Sequence, residues 1–187
     1  MPRYDVPRAA EGPLRLVQLL VNSVDHEHGR EWVPDPAALG RWLEERGLDV
    51  RTHPTRTDLE HTYALREALR SLLRANNGGA VDPAAVAVVN ETARRGRLEL
   101  RLGADGGAAV EVDGTGGDGA LARIVGVVFE AMRDGSWTRL KACRRCKWVF
   151  WDTSKNRSGS WCSMQLCGNR AKTRAYRRRR AATGGPP

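Results

Sequence analysis

The chain has 187 residues, 41% of them hydrophobic, and a net charge of +9. This is enough apolar material for one cored domain and a small metal-stapled one, and no apolar run approaches the length a membrane-spanning helix needs. No apolar stretch follows the opening Met-Pro-Arg-Tyr-Asp, so a secretory leader is not expected and the expected location is cytoplasmic and reducing.

Residues 1–12 are polar, with Pro2, Pro7 and Gly12, and predict a loose lead-in. Residues 14–24 are apolar on most sides and predict a buried helix. The Asp25-His26-Glu27-His28-Gly29 segment holds metal-capable side chains, but it lacks the Glu-x-x-His spacing of a zincin and is expected to be a solvated helix end. Asp35-Pro36 predicts a helix start, with Asp as cap and Pro in the first turn, and Gly47 a stop after Trp42-Leu43. Thr57-Asp-Leu-Glu60 has the form of a capping box, opening a helix whose Leu65, Leu69, Leu72 and Leu73 make one apolar stripe that ends at Asn76-Asn-Gly-Gly79. Asp82-Pro83 repeats the first device for a helix toward Gly96, and His53 and His61 are expected at the surface beside these helices.

Next, Leu98, Leu100 and Leu102 alternate with charged residues, residues 103–107 are turn-like, and Val110 and Val112 alternate on the return. This predicts a hairpin with its apolar face laid on the helices. The glycines at 114, 116, 117 and 119 match Gly-x-Gly-x-x-Gly, but the strand before them belongs to an antiparallel hairpin and no second parallel strand follows. They are expected to be a flexible connector to a last core helix over residues 121–132, capped by Asp118.

All four cysteines lie in the next stretch: Cys143-x2-Cys146, fifteen residues, then Cys162-x4-Cys167. Two close pairs of soft thiolates are what a closed tetrahedral zinc site requires, and four thiolates leave no open position for catalysis. Residues 148–151 have strand composition, residues 153–160 with Gly159 read as a hairpin turn, and Ser163 is suited to cap a helix carrying Cys167. A knuckle, a hairpin and a helix make a treble-clef-like finger with one structural Zn2+. Trp148, Trp151 and Trp161 either fill its small core or form a stacking platform, and an exposed Trp151 would favour the platform.

The run Cys162-Ser-Met-Gln-Leu-Cys167-Gly168-Asn169-Arg170, after Asp152-Thr-Ser-Lys-Asn-Arg157 and before Ala171-Lys172, resembles the CGNR zinc-finger family. Proteins of that family carry an N-terminal ABATE domain, described as a stress-induced transcription regulator. The matching stretches are Leu19-Leu-Val-Asn22-Ser23, Leu39-Gly-Arg-Trp42-Leu43 and Ala64-Leu-Arg-Glu-Ala-Leu-Arg70, with Ser23 where the family usually has Thr. The resemblance implies zinc and DNA binding.

Charge placement points the same way. From residue 139 to residue 180, fourteen Lys and Arg face one acid, so this segment carries +13 of a total of +9 and the remainder is net −4. All four lysines, including Lys141, fall inside it. The expected architecture is mainly α: a helical N-terminal domain with one β-hairpin over residues 1–135, a treble-clef-like finger over 136–180 and a disordered tail over 181–187. The expected activity is DNA-binding transcription regulation, not enzymatic, with a signal sensed by the helical domain through an unidentified small-molecule ligand. Cys143, Cys146, Cys162 and Cys167 are the expected zinc ligands. Lys147, Lys155, Arg157, Asn169, Arg170, Lys172, Arg174, Arg177 and Arg178 are the expected contacts to double-stranded DNA. A homodimer would suit a palindromic site. The rival readings are an RNA or single-strand binder and a protein-interaction module in which zinc is only a clasp.

Overall fold

The computed structural model describes residues 8–48 and 53–182, with the backbone alone for residues 175 and 178–182. Residues 1–7 of the lead-in expected over 1–12 and residues 183–187 of the tail expected over 181–187 lie outside the described residues; residues 8–10 are not loose, since Arg8 O accepts from Trp151 N and Gln18 Nε2 and Ala10 is buried, and residues 181 and 182 continue the last helix.

Helix α1 (Leu14–Val21) buries Leu14, Val17, Leu20 and Val21. The segment after it is not a helix end. It is a small antiparallel ladder, β1 (Val24–Asp25) and β2 (Arg30–Glu31), whose turn is held by the Asp25 carboxylate accepting from the amides of Glu27 and His28. Gly29, with φ of 62°, lets the chain reverse there.

Helix α2 (Pro36–Glu44) starts as its sequence predicts, with the Asp35 side chain accepting from the Ala38 amide at 2.7 Å. Helix α3 (Arg56–Ala75) also carries a capping box, but the pair is Thr55 and Asp58. Thr57 lies inside the first turn, so the box begins two residues earlier than its sequence form suggested. The α3 leucines are buried, and α4 (Pro83–Arg95), capped by Asp82, packs beside them while burying only Ala85 fully.

Strands β3 (Leu98–Leu102) and β4 (Ala108–Val112) pair antiparallel, with Leu98 opposite Val112 and Leu100 opposite Val110. The apolar face is not laid on the helices along its length. Its base meets α5 (Gly116–Arg133), where Leu98 and Val110 lie over Gly126, but Leu100 and Leu102 are 67% and 77% exposed. The glycine segment is not a flexible connector either. A β-carbon on Gly119 would stand 2.2 Å from the Gly114 carbonyl oxygen, and one on Gly114 would stand 2.5 Å from that of Gly96, so backbones pack there with no room for side chains. Asp118 does not cap α5. Thr115 occupies that position, and Asp118 is paired with Arg95 across to α4.

After a 3-10 turn (Ser136–Arg139), β5 (Leu140–Ala142) and β6 (Val149–Trp151) pair around the cysteine knuckle, with Ala142 opposite Val149. The hairpin turn is therefore the knuckle itself, not residues 153–160. Those residues loop around Asp152, whose carboxylate accepts from the amides of Ser154 and Gly159. A π turn (Met164–Gly168) and α6 (Asn169–Ala182) complete a mainly α chain with three two-stranded sheets among the described residues.

Strand β6 joins two cores. Alternate residues of a strand face opposite ways. Val149 and Trp151 enter the large core built by α1, α2, α3 and α5, while Trp148 and Phe150 pack with the four cysteines, Trp32 and Trp161. Trp148 and Trp151 are both buried, which removes them from any stacking platform.

Candidate metal centre and basic helix

The two turns that carry the thiols are set by backbone bonds. Cys143 N donates to Trp148 O at 2.8 Å and Lys147 N to Cys143 O at 3.1 Å, closing the knuckle, with Lys147 in the left-handed region at φ 63°. At the second turn, Ser163 Oγ accepts from Leu166 N, and the amides of Cys167 and Gly168 both reach the Ser163 carbonyl. A β-carbon on Gly168 would lie 2.6 Å from Met164 Sδ, so a side chain there would require the exposed Met164 side chain to move aside.

All four sulfur atoms lie within 4.8 Å of one another, with Cys146 to Cys162 at 3.5 Å and Cys162 to Cys167 at 3.7 Å. A tetrahedron of sulfurs around zinc, at roughly 2.3 Å each, has edges of about 3.8 Å, so the donor set fits that metal. The thiols are 0–7% exposed. Hydrogen bonds from Cys146 and Cys162 push Cys143 well below the usual thiol range, while the bond to Cys143 pushes Cys146 up to about 12. Thiolates this close repel one another, and a divalent cation is what allows all four to ionise. The cysteines form a single zinc site, with zinc holding the two turns together as a structural ion.

Around this centre, buried and partly buried polar side chains on or next to the helices fasten the finger by its backbone. Asn22 gives its amide N–H to Val149 O at 2.9 Å and accepts from Val149 N at 2.8 Å, the exchange a neighbouring strand residue would make. Gln18 adds a second donor to Val149 O. Asn77 donates to Ala142 O and Ser160 O, and Asn76 to Trp137 O and Leu140 O. Arg70, 3% exposed, donates to Lys147 O at 2.9 Å and to Val21 O. Inside the finger, Lys141 Nζ meets Asp152 at 2.8 Å and also reaches the carbonyls of Arg157 and Gly159. Burial opposes the Asp152 charge, but Lys141 and the Ser154 and Gly159 amides outweigh it and hold the carboxyl at about 2.

Of the basic residues expected at a nucleic-acid surface, Lys147 projects from the knuckle, while Asn169, Arg170, Lys172, Arg174 and Arg177 are exposed on α6. The Arg178 backbone belongs to α6, and its side chain lies outside the described residues. Lys155 and Arg157 are exposed but sit elsewhere, in the loop at the end of β5 and β6 remote from the knuckle, where Arg157 donates to Thr138 Oγ1 at 2.6 Å. The structure does not bring that pair to the helix.

Residues that sequence reasoning missed connect the two groups. Glu27, in the β1–β2 turn, pairs with Arg145 at 2.7 Å and lies 3.6 Å from Arg170, while Arg145 also reaches Cys167 Sγ at 3.8 Å. The only signal in the sequence was an acid between two histidines, in a segment expected to be a solvated helix end and not to hold an arginine partner.

A cleft of about 590 Å³ opens between α5, β4 and the start of α1. Leu14, Val110, Val112, Val127 and Ala131 line it, and Trp151 closes one side. Among the described residues, no helix is long and apolar enough to cross a membrane.

The ABATE family, described as "Putative stress-induced transcription regulator", matches residues 14–135, and the CGNR zinc finger matches residues 139–180. No curated protein matches the chain. Both families are of regulator or zinc-finger type, not enzyme classes. With the four-thiol centre falling inside the second match and the helices that grip it inside the first, the chain belongs to the ABATE family and ends in a CGNR zinc finger.

Proposed function

We propose that the chain is a cytoplasmic, DNA-binding transcription regulator, not an enzyme, with α6 as its principal DNA-contacting element. The observation that carries this reading is the charge of α6: half of its fourteen residues are Lys or Arg, none is acidic, and Arg170, Lys172, Arg174 and Arg177 are exposed. Basic side chains on one exposed helix suit phosphate contacts, with a subset free to reach guanine edges in the major groove. Zinc serves here as a clasp that fixes the helix. A small-molecule signal would enter the 590 Å³ cleft, where Trp151 links its wall to the finger. A homodimer would place two helices on a palindromic site.

Selection of duplexes from a random pool by the zinc-loaded chain at physiological salt tests the reading. A defined site lost on Arg170→Ala or Arg174→Ala supports it. With about five phosphates neutralised, log affinity should fall against log salt with a slope near −4.5. A shallow slope without enrichment would favour a protein-interaction module. The single-strand reading loses support because Trp148 and Trp151 are buried.

A further inference from the structure

Beside the zinc centre, a cleft of about 240 Å³ lies between the β1–β2 turn and the finger. Its walls are His26 and Glu27 from the turn, Arg145, Cys146 and Lys147 from the knuckle, and Arg174 from α6. Three always-charged cations converge there from two separate elements, and a histidine faces them from a third. The negative groups nearby already have partners. Glu27 is paired with Arg145 and lies 3.6 Å from Arg170, and the cysteine cluster faces Arg145 through Cys167. His26 Nε2 is 3.3 Å from Glu67, which is itself bonded to Arg70. Lys147 and Arg174 are both exposed, and neither has an acidic partner among the described ion pairs. Lys147 is also held in a left-handed conformation that a lysine rarely adopts, with its carbonyl fixed by Arg70. Backbone strain of this kind persists where surrounding bonds over-determine it.

We propose that this cleft seats one phosphate group, taken from a nucleic-acid backbone, and that His26 of the ABATE region completes a seat whose other walls are Lys147, Arg145 and Arg174 of the finger. The inference rests on the nucleic-acid reading above and deepens it. The N-terminal region becomes part of the binding surface, and Lys147 and Arg174 act on the same phosphate. A free phosphate or a phosphorylated small molecule presents the same chemistry, so the test must separate the two sources.

The experiment measures duplex binding by fluorescence anisotropy across a salt series, using the zinc-loaded full chain and variants checked for zinc content and melting temperature. Lys147→Gln and Arg174→Ala should each weaken binding about tenfold and lower the salt slope by about 0.9, and the double variant should lower the slope by about 0.9 in total, because one phosphate is lost. Independent effects that add to about 1.8 would overturn the shared seat. His26→Ala should weaken binding with little change in slope, and Glu27→Gln should tighten it several-fold by removing a negative charge from the wall. Unchanged duplex binding in all four single variants, with Lys172→Ala or Arg177→Ala still weakening it, overturns the seat and leaves DNA binding standing. If the wild-type chain binds no duplex, the nucleic-acid reading fails, and NMR titration with inorganic phosphate then decides the chemistry. Saturable shifts confined to the Lys147 amide and the His26 ring would support a seat for a free phosphate-bearing ligand, and their absence would overturn it.

Discussion

Two hairpins in this molecule make opposite use of the same alternation. The β3–β4 hairpin has five residues per strand and a regular apolar face, yet Leu100 and Leu102 stand in the open. The β5–β6 hairpin has three residues per strand, and β6 is buried on both faces. Alternation tells which residues share a face. It does not tell whether anything covers that face. Burial of β6 comes from its surroundings, with a helical core on one side, a zinc centre on the other and Asn22 closing its backbone.

The largest expected effect separates the hairpins by metal. A structural zinc binds with roughly 10–16 kcal/mol in small fingers. Chelation should therefore unfold β5–β6 and, through Val149 and Trp151, lower the melting temperature of the whole chain. A calorimetric scan in which the helical core melts unchanged after chelation would break the shared-core account.

Next in size is Asn22→Ala, which strands the buried N–H of Val149 while Gln18 still donates to its C=O, and should cost about 2 kcal/mol, read as a shift in the urea midpoint. The drop should be accompanied by faster hydrogen exchange at Val149. Loss confined to the β3–β4 amides would contradict it.

How far these features could be read from the sequence follows residue chemistry. Caps at Asp35, Asp82 and Ser163 were legible, because a short acceptor side chain before an apolar stretch acts locally. The thiol spacing was legible because metal geometry constrains it. Asn22, Arg70 and Asn77 were not, since a polar residue on an apolar helix face looks like noise until the distant backbone it satisfies is in place. The β3–β4 hairpin misled in the other direction, since its periodicity was real but its cover was absent along most of its length.

A comparable effect sharpens the β5–β6 side through pH. Asp152 has its folded-state value depressed to about 2 from 3.8, so its contribution is fully present above about pH 4 and is lost as pH falls through 2. A shift of that size corresponds to about 2 kcal/mol. Lys141→Met should flatten this acid limb in denaturation curves taken between pH 2 and pH 5, and an unchanged limb would remove Lys141 as its cause. The smallest effect belongs to the other hairpin. Leu100→Thr and Leu102→Thr should change stability by less than about 0.5 kcal/mol. A loss of several times that, measured by urea titration, would mean the face is covered in solution.

The Asn22 amide has one further consequence, for transplantation. Residues 136–180 moved onto a foreign protein would arrive with an open strand edge at Val149, and with Val149 and Trp151 bare on one face. A graft that keeps the metal ligands alone would inherit a sticky seam. One that also carries α1 and the end of α3 would bring the matching side with it, so the smallest portable unit is set by who holds the strand and not by who holds the zinc.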